Sequence, residues 1–384
     1  MKPMHIQKII QSIGIIFLLL ANTCFAENII IAPNTVISHS RSYNNATLDM
    51  TNGSFIINNN ATLTITNCII NGNISKKNPL LITVDKGKLN LSHNNFNIKS
   101  VGIDPHPTTQ SLHYVIQLAH GGLNMDSNSF VVDHSFEVGL LITSADIQTT
   151  GINIVRNTFE RFHGVIYLLG TDNALISDNI LTKNTYGNIV IIGSNSKILG
   201  NTIYYSGNNR LGNSIDLIDS NNILVSKNLL LTPTCHGIYV FNSSNVVLDS
   251  NRVNGGITYA MSIITYPEKL KTDDEIMPLV LKHTFKNVIS QNITITNNFM
   301  SQNRYGIAAT DVNGLDVENN IFIQRFEDVD ARKFWTNNNI LLQNVSQLTW
   351  VNNMYKEAFT QEVNGDNTKT DILIPFPKTG GISL

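Results

Sequence analysis

The chain has 384 residues, with 26 Lys and Arg against 28 Asp and Glu, a formal charge of −2. It has no basic stripe, which excludes a nucleic-acid binder. Only 14% of its residues are charged, while Asn supplies about one residue in seven. Asn, Thr, Ile and Val dominate over Ala, Glu and Lys, a balance that favours short strands and turns over helices.

The first 26 residues read as an export signal. Lys2 and Lys8 give a positive start, Ile9 to Ala21 is apolar except for Gln11 and Ser12, and Cys24-Phe25-Ala26 forms a small-residue cleavage site. The run is short for a membrane span, and no later segment approaches 18 apolar residues. The expected mature protein therefore starts near Glu27, lies in the periplasm or is secreted, and makes no stable membrane insertion. Of its three cysteines only Cys68 and Cys235 remain, too few for a disulfide scaffold and unsuited to a zinc site. Neither a metal nor another cofactor is expected, and the solenoid is read as a monomer.

From there the chain repeats. His236 to Asn251 overlays Tyr305 to Asn320 without a gap, and Tyr186 to Asn201 and Asn213 to Asn228 follow the same pattern. His163 to Asn179 follows it with one extra residue. Asparagines recur at Asn157, Asn179, Asn201, Asn228, Asn251, Asn298, Asn320 and Asn353. Each unit holds two or three short β-rich runs, such as Ile215 to Ile218 and Ile223 to Val225, separated by Asn, Ser or Gly turns. Such units describe a coil that climbs one strand spacing, about 4.8 Å, per turn. An Asn repeated at one bend then ladders amide to amide and satisfies the donors that the bend removes from the sheet.

A leucine-rich horseshoe needs a Leu-x-x-Leu-x-Leu frame that is missing here, and a propeller needs a longer unit. The predicted fold is all-β: a single right-handed parallel β-helix solenoid of about ten to twelve coils over residues 27–360, followed by a tail at 361–384. Across roughly residues 45–355 the chain resembles the pectate-lyase-like superfamily, whose members include lyases, epimerases, hydrolases and structural proteins.

Two insertions break the repeat. Leu80 to Val84 overlays Tyr114 to Leu118, and Gly87 to Phe96 overlays Gly121 to Phe130, both at an offset of 34. The surplus falls at 101–111, where Pro105 and Pro107 argue against an interior strand. The second insertion, 267–285, is the most acidic stretch. Within the first, Gly102-Ile-Asp-Pro-His106 resembles the signature of bacterial mannuronan C-5 epimerases. That resemblance implies Asp104 and His106 as catalytic residues acting at C5 of a uronate, where a base must remove a weakly acidic proton. Val101 stands where that family has Tyr, and Pro107 where it has an acid. A second acid must then come from a neighbouring coil, with His113 or Tyr114 nearest in sequence.

The first residues of the units, His163, Tyr186, Asn213, His236 and Tyr305, predict a stacked column that His113 joins, and aromatic faces in such a column pack against sugar rings. Asp216 is expected to point outward beside Tyr239 of the next coil, on an exposed groove floor, with Asp219 as its partner in a carboxylate pair. Tyr167 belongs to the same expected binding face. Arg156, Arg161 and Arg210 are available to a uronate carboxylate. The expected partner is an acidic polysaccharide. The expected reaction is C5 proton abstraction, giving epimerisation or β-elimination, and the competing class is a non-catalytic carbohydrate-binding or scaffold solenoid.

Overall fold

Short runs that alternate large apolar and polar residues, closed by a bend at a repeated Asn, can bury one face only by coiling onto copies of themselves. The chain does this. The computed structural model describes residues 27–103, 113–133, 138–143, 149–185, 187–206, 212–233, 235–256, 258–265, 289–303, 305–324 and 340–356. Among them every element is a strand, and neighbouring rungs pair in parallel. One rung shows the plan: Ile238–Phe241, Ser244–Asp249 and Arg252–Asn254 form three sides. Each side pairs with its counterpart in the next rung. The third sides join into one continuous sheet of 13 strands. Among the described residues the protein is a right-handed parallel β-helix of twelve three-sided rungs, preceded by one further third-side strand, Glu27–Ile30, in line with the ten to twelve expected.

The core is the inside of the coil. Ile215 and Leu217, and Ile238 and Val240 one rung on, point inward and are fully buried. Phe96, Phe130 and Phe159 stack inside successive rungs, with ring centroids 4.1 and 5.5 Å apart. The expected offset of 34 is the register itself: Leu80 pairs with Tyr114 and Leu89 with Leu123.

At the bend between the second and third sides, the residue before each ladder position takes a left-handed φ of about 50 to 65°, as at His93, Arg156, Lys227 and Ser250. The next residue is the laddering Asn. Asn228 donates its N–H and its Nδ2 to Asn251 Oδ1 at 3.1 and 2.9 Å, and Asn251 repeats the pattern onto Asn298. The ladder runs from Asn94 to Asn353, with Cys68 donating its N–H to Asn94 at the N-terminal end. Asn94 and Asn128 extend it beyond the positions that sequence spacing revealed. A shorter second ladder links Ser220, Ser243 and Ser290 at the preceding bend. Cys68 and Cys235 are not joined to each other.

Candidate functional site

On the first side of the coil, one register row runs outward through many rungs. It passes Leu80, Tyr114 and Gly139, then Gly164, Gly187 and Asn213, and ends at His236, Tyr259 and Tyr305. Two of the three glycines, Gly139 and Gly164, seat aromatic rings. A Cβ at Gly139 would lie 2.4 Å from Tyr114 Cε1, and one at Gly164 would lie 2.1 Å from Tyr167 Cε2. At Gly187 a Cβ would stand 3.5 Å from both Tyr167 Oη and an Asp216 carboxylate oxygen, so these two groups converge over that glycine. Gly164→Ala is therefore expected to displace Tyr167 and lower stability by about 1–3 kcal/mol. Thermal melting together with tyrosine nitration of the variant checks this, and an unchanged melt with Tyr167 still protected would refute the packing.

Beyond the glycines the row becomes a strip of stacked rings. His236 stacks on Tyr239 at 5.2 Å and on Tyr259 at 5.5 Å, and Tyr259 stacks on Tyr305 at 4.8 Å. His236, Tyr239 and Tyr259 are half-buried, so their outer parts reach solvent. Asn213 ties the strip to the carboxylate: the His236 N–H donates to Asn213 Oδ1 at 2.9 Å, and Asn213 Nδ2 donates to Asp216 Oδ1 at 2.6 Å.

The expected column is corrected in two ways. His163 belongs to the adjacent row with His113 and Val138, one position off the row of His236. The cause is the extra residue of its unit: His163 stands 16 residues before Asn179, whereas His236 stands 15 before Asn251. A rung one residue short lies between the two. Register shifts from 23 to 22 between Leu169 and Thr171, and from 26 to 27 between the pairings of Leu217 and Asn221. Tyr186 lies outside the described residues. Tyr259 takes a place in the strip that sequence reasoning missed, because insertion 267–285 separates its rung from the next recurrent Asn.

The expected exposed floor is also corrected. Asp216 does point outward, in register with Val190 and Tyr239, but it is only 1% exposed, and Asp219 is also buried. Tyr114, Tyr167, Leu169, Val190, Ile192, Ile218 and Phe241 form a second apolar cluster on this outer face, separate from the core, and this makes the surroundings of Asp216 apolar. Asp219 sits at the bend after the strand, with φ 45°, and its N–H donates to Phe241 O at 2.9 Å. Arg156 and Arg161 are engaged on the surface with Asp126 and Glu160, at 2.5 and 3.3 Å. Asp104, His106 and Arg210 lie outside the described residues.

Burial sets the protonation states here. It pulls His163 and His236 down to about 4, so both imidazoles are neutral at pH 7, and it pushes the Tyr114 phenol above its ordinary range, so that group stays a donor. The Tyr114 hydroxyl and the Ser262 hydroxyl, which follows Tyr239 in the outward row, are buried with no protein partner. A buried polar group without a partner costs free energy and calls for an occupant or a role. No cluster of three His, Cys, Asp or Glu side chains able to hold a metal forms among the described residues.

Comparison with known proteins concerns the fold. The family described as right handed beta helix region matches residues 138–267. No curated protein matches the chain. Among solved structures, an alginate lyase, AlyF-OU02, in complex with G6 is similar at 11% identity and a TM-score of 0.43, over 90% of this chain and 86% of that one. The mannuronan C-5 epimerase AlgE6 A-module of Azotobacter vinelandii is similar at 9% identity and a TM-score of 0.36, over 88% and 93%. The periplasmic alginate epimerase AlgG is similar at 13% identity and a TM-score of 0.31, over 82% and 78%.

Proposed function

We propose that this is an exported, periplasmic or secreted β-helix protein that binds an acidic polysaccharide along the row from Tyr114 to Tyr305 and modifies it by C5 proton abstraction. The observation that carries the reading is the composition of this one face. A stack of half-buried His236, Tyr239 and Tyr259, closed by buried Tyr305, offers ring edges to pyranose residues, and two buried hydroxyls lack protein partners, Ser262 beside the stack and Tyr114 five rungs before His236. Hydroxyls and aromatic edges along one face match the alternating polar and apolar surfaces of a sugar.

In the proposed reaction a base takes the C5 proton and the uronate carboxylate holds the resulting charge. Return of a proton to the opposite face gives epimerisation, and expulsion of the O4 substituent gives β-elimination. His106 is the proposed base, with Asp104 orienting it, by resemblance of Gly102 to His106 to the epimerase signature. Their segment leads in sequence directly into His113 and Tyr114, at the start of the row. Tyr114, kept protonated, is the proposed acid. Asp216, Asp219, His163, Tyr167, His236 and Tyr239 are proposed to bind or to shape the face.

His106→Ala should abolish turnover of mannuronate and guluronate polymers with little change in melting, because the flanking Pro105 and Pro107 argue against a place for His106 in an interior strand. Absorbance of unsaturated products reads elimination, and solvent proton exchange at C5 reads epimerisation. Full activity in that variant would sink the assignment of His106. A second reading, binding without catalysis, is favoured by the burial of Asp216 in an apolar cluster. It wins if the wild type turns over no uronate polymer yet binds one, with affinity falling about tenfold in Tyr259→Ala.

A further inference from the structure

The continuous 13-strand sheet forms a different side of the coil from the aromatic row, and its outward face is not uniform. Over the first rungs it holds a cleft of about 570 Å3, lined by Asn28, Thr47, Asp49, Asn71, Asn97 and Lys99 among others. Asp49, Asn71 and Asn97 occupy one register position in three successive rungs, and Asn73 stands in register with Lys99. Past Asn97 that position becomes Val131, Glu160, Thr182, Tyr204 and Leu231. The sheet therefore does not require a polar side chain there, and the run of carboxylate and amides coincides with the cleft.

Within this group the internal hydrogen bonds are few. Asn97 Nδ2 donates to Asn71 Oδ1 at 3.1 Å, and the Thr51 N–H donates to Asp49 Oδ1 at 2.9 Å. Hydrogen bonds from the Thr51 hydroxyl and N–H hold Asp49 below the usual carboxylate value, so it is an ionised acceptor at neutral pH. With that contact made, Asn71 keeps its Nδ2 donor and Asn97 a further lone pair on Oδ1 beside the cleft. Amides that present a donor and an acceptor side by side complement vicinal hydroxyls, which are themselves donor and acceptor. One carboxylate and one ammonium cancel, so the cleft selects hydroxyls over charge. The rungs repeat at about 4.8 Å, close to the length of one sugar residue in an extended chain.

We propose that this cleft is a second, non-catalytic saccharide-binding subsite that recognises the hydroxyl groups of neutral sugar residues and works independently of the aromatic row. It has no aromatic lining, so its affinity is modest and rests on hydrogen bonds, each of which must displace water.

The test titrates the full chain with mannohexaose, and separately with a mannuronate hexamer, by calorimetry and by amide chemical shifts. Mannohexaose should bind, with affinity at least about fivefold weaker in the double variant Asn71→Ala, Asn97→Ala. That variant should melt as the wild type does, since both side chains lie on the outward face. The double variant Tyr259→Ala, Tyr305→Ala should leave mannohexaose binding unchanged, whether or not it weakens binding of the mannuronate hexamer, so failure of this proposal is separable from failure of the previous one. Absence of mannohexaose binding, binding that the asparagine variant leaves intact, or binding lost with the tyrosine variant would each overturn the proposal. Binding of the mannuronate hexamer alone at this cleft would overturn the preference for hydroxyls over charge.

Discussion

Asn251→Ala is expected to lower the unfolding free energy by about 3 kcal/mol, the upper end of the cost of orphaning a buried polar group. Asn251 Oδ1 accepts from both the N–H and the Nδ2 of Asn228, while its own Nδ2 donates to Val225 O at 2.9 Å and to Asn298 Oδ1 at 3.1 Å. Alanine removes all four links and leaves the buried Asn228 N–H without its acceptor. Because each rung contacts only its neighbours, the damage should stay local. Hydrogen exchange should rise at the rungs of Asn228, Asn251 and Asn298 and remain unchanged near Asn94. A variant with the wild-type melting temperature and unaltered exchange would show that the ladder carries no stability at this position. Asn251→Ser, which keeps an acceptor, should recover part of the loss.

The second large effect is a loss of stability in mild acid. His163 and His236 have folded values near 4 because burial disfavours their charged forms, against 6.5 in the unfolded chain. Between those values the unfolded state binds protons that the folded state does not, so stability falls as pH drops from 6.5 toward 4 and the contribution of these two groups levels off below that. Their partial exposure reduces the penalty, leaving about 2 kcal/mol for each. The double variant His163→Gln, His236→Gln should flatten the slope of stability between pH 6.5 and 5, a window above the range in which carboxylates titrate. Equal slopes in wild type and variant would mean that neither imidazole is desolvated. The same burial bears on function: an imidazole that protonates only near pH 4 is a neutral acceptor and a weak base at pH 7, which suits a face that binds a sugar hydroxyl better than one that takes up a proton or attracts a carboxylate by charge.

The sequence alone contained the coil, its direction of climb and its structural ladder. These are periodic properties: an Asn at one bend in each turn and inward apolar residues at alternate positions recur without reference to distant parts of the chain. The offset between Leu80 and Tyr114 was legible for the same reason, since two adjacent rungs repeat nearly the same residues on either side of an insertion. The face of the coil was decided only by the tertiary structure. Asparagine ladders fix the bends, but the strand between two bends can gain or lose a residue, as the rung of Ile189 does relative to those of Ile166 and Ile215. A slip of one residue changes which row a side chain joins and turns it to the opposite face of the strand. His163 stands 16 residues before its ladder Asn179 and His236 stands 15 before Asn251, and that one-residue difference puts them in different rows. Tyr259 enters the strip, and Asp216 becomes buried among tyrosines and aliphatic side chains, through contacts between rungs 23 to 46 residues apart. No local pattern encodes these contacts, because burial on the outside of a solenoid depends on what every neighbouring rung presents at the same height.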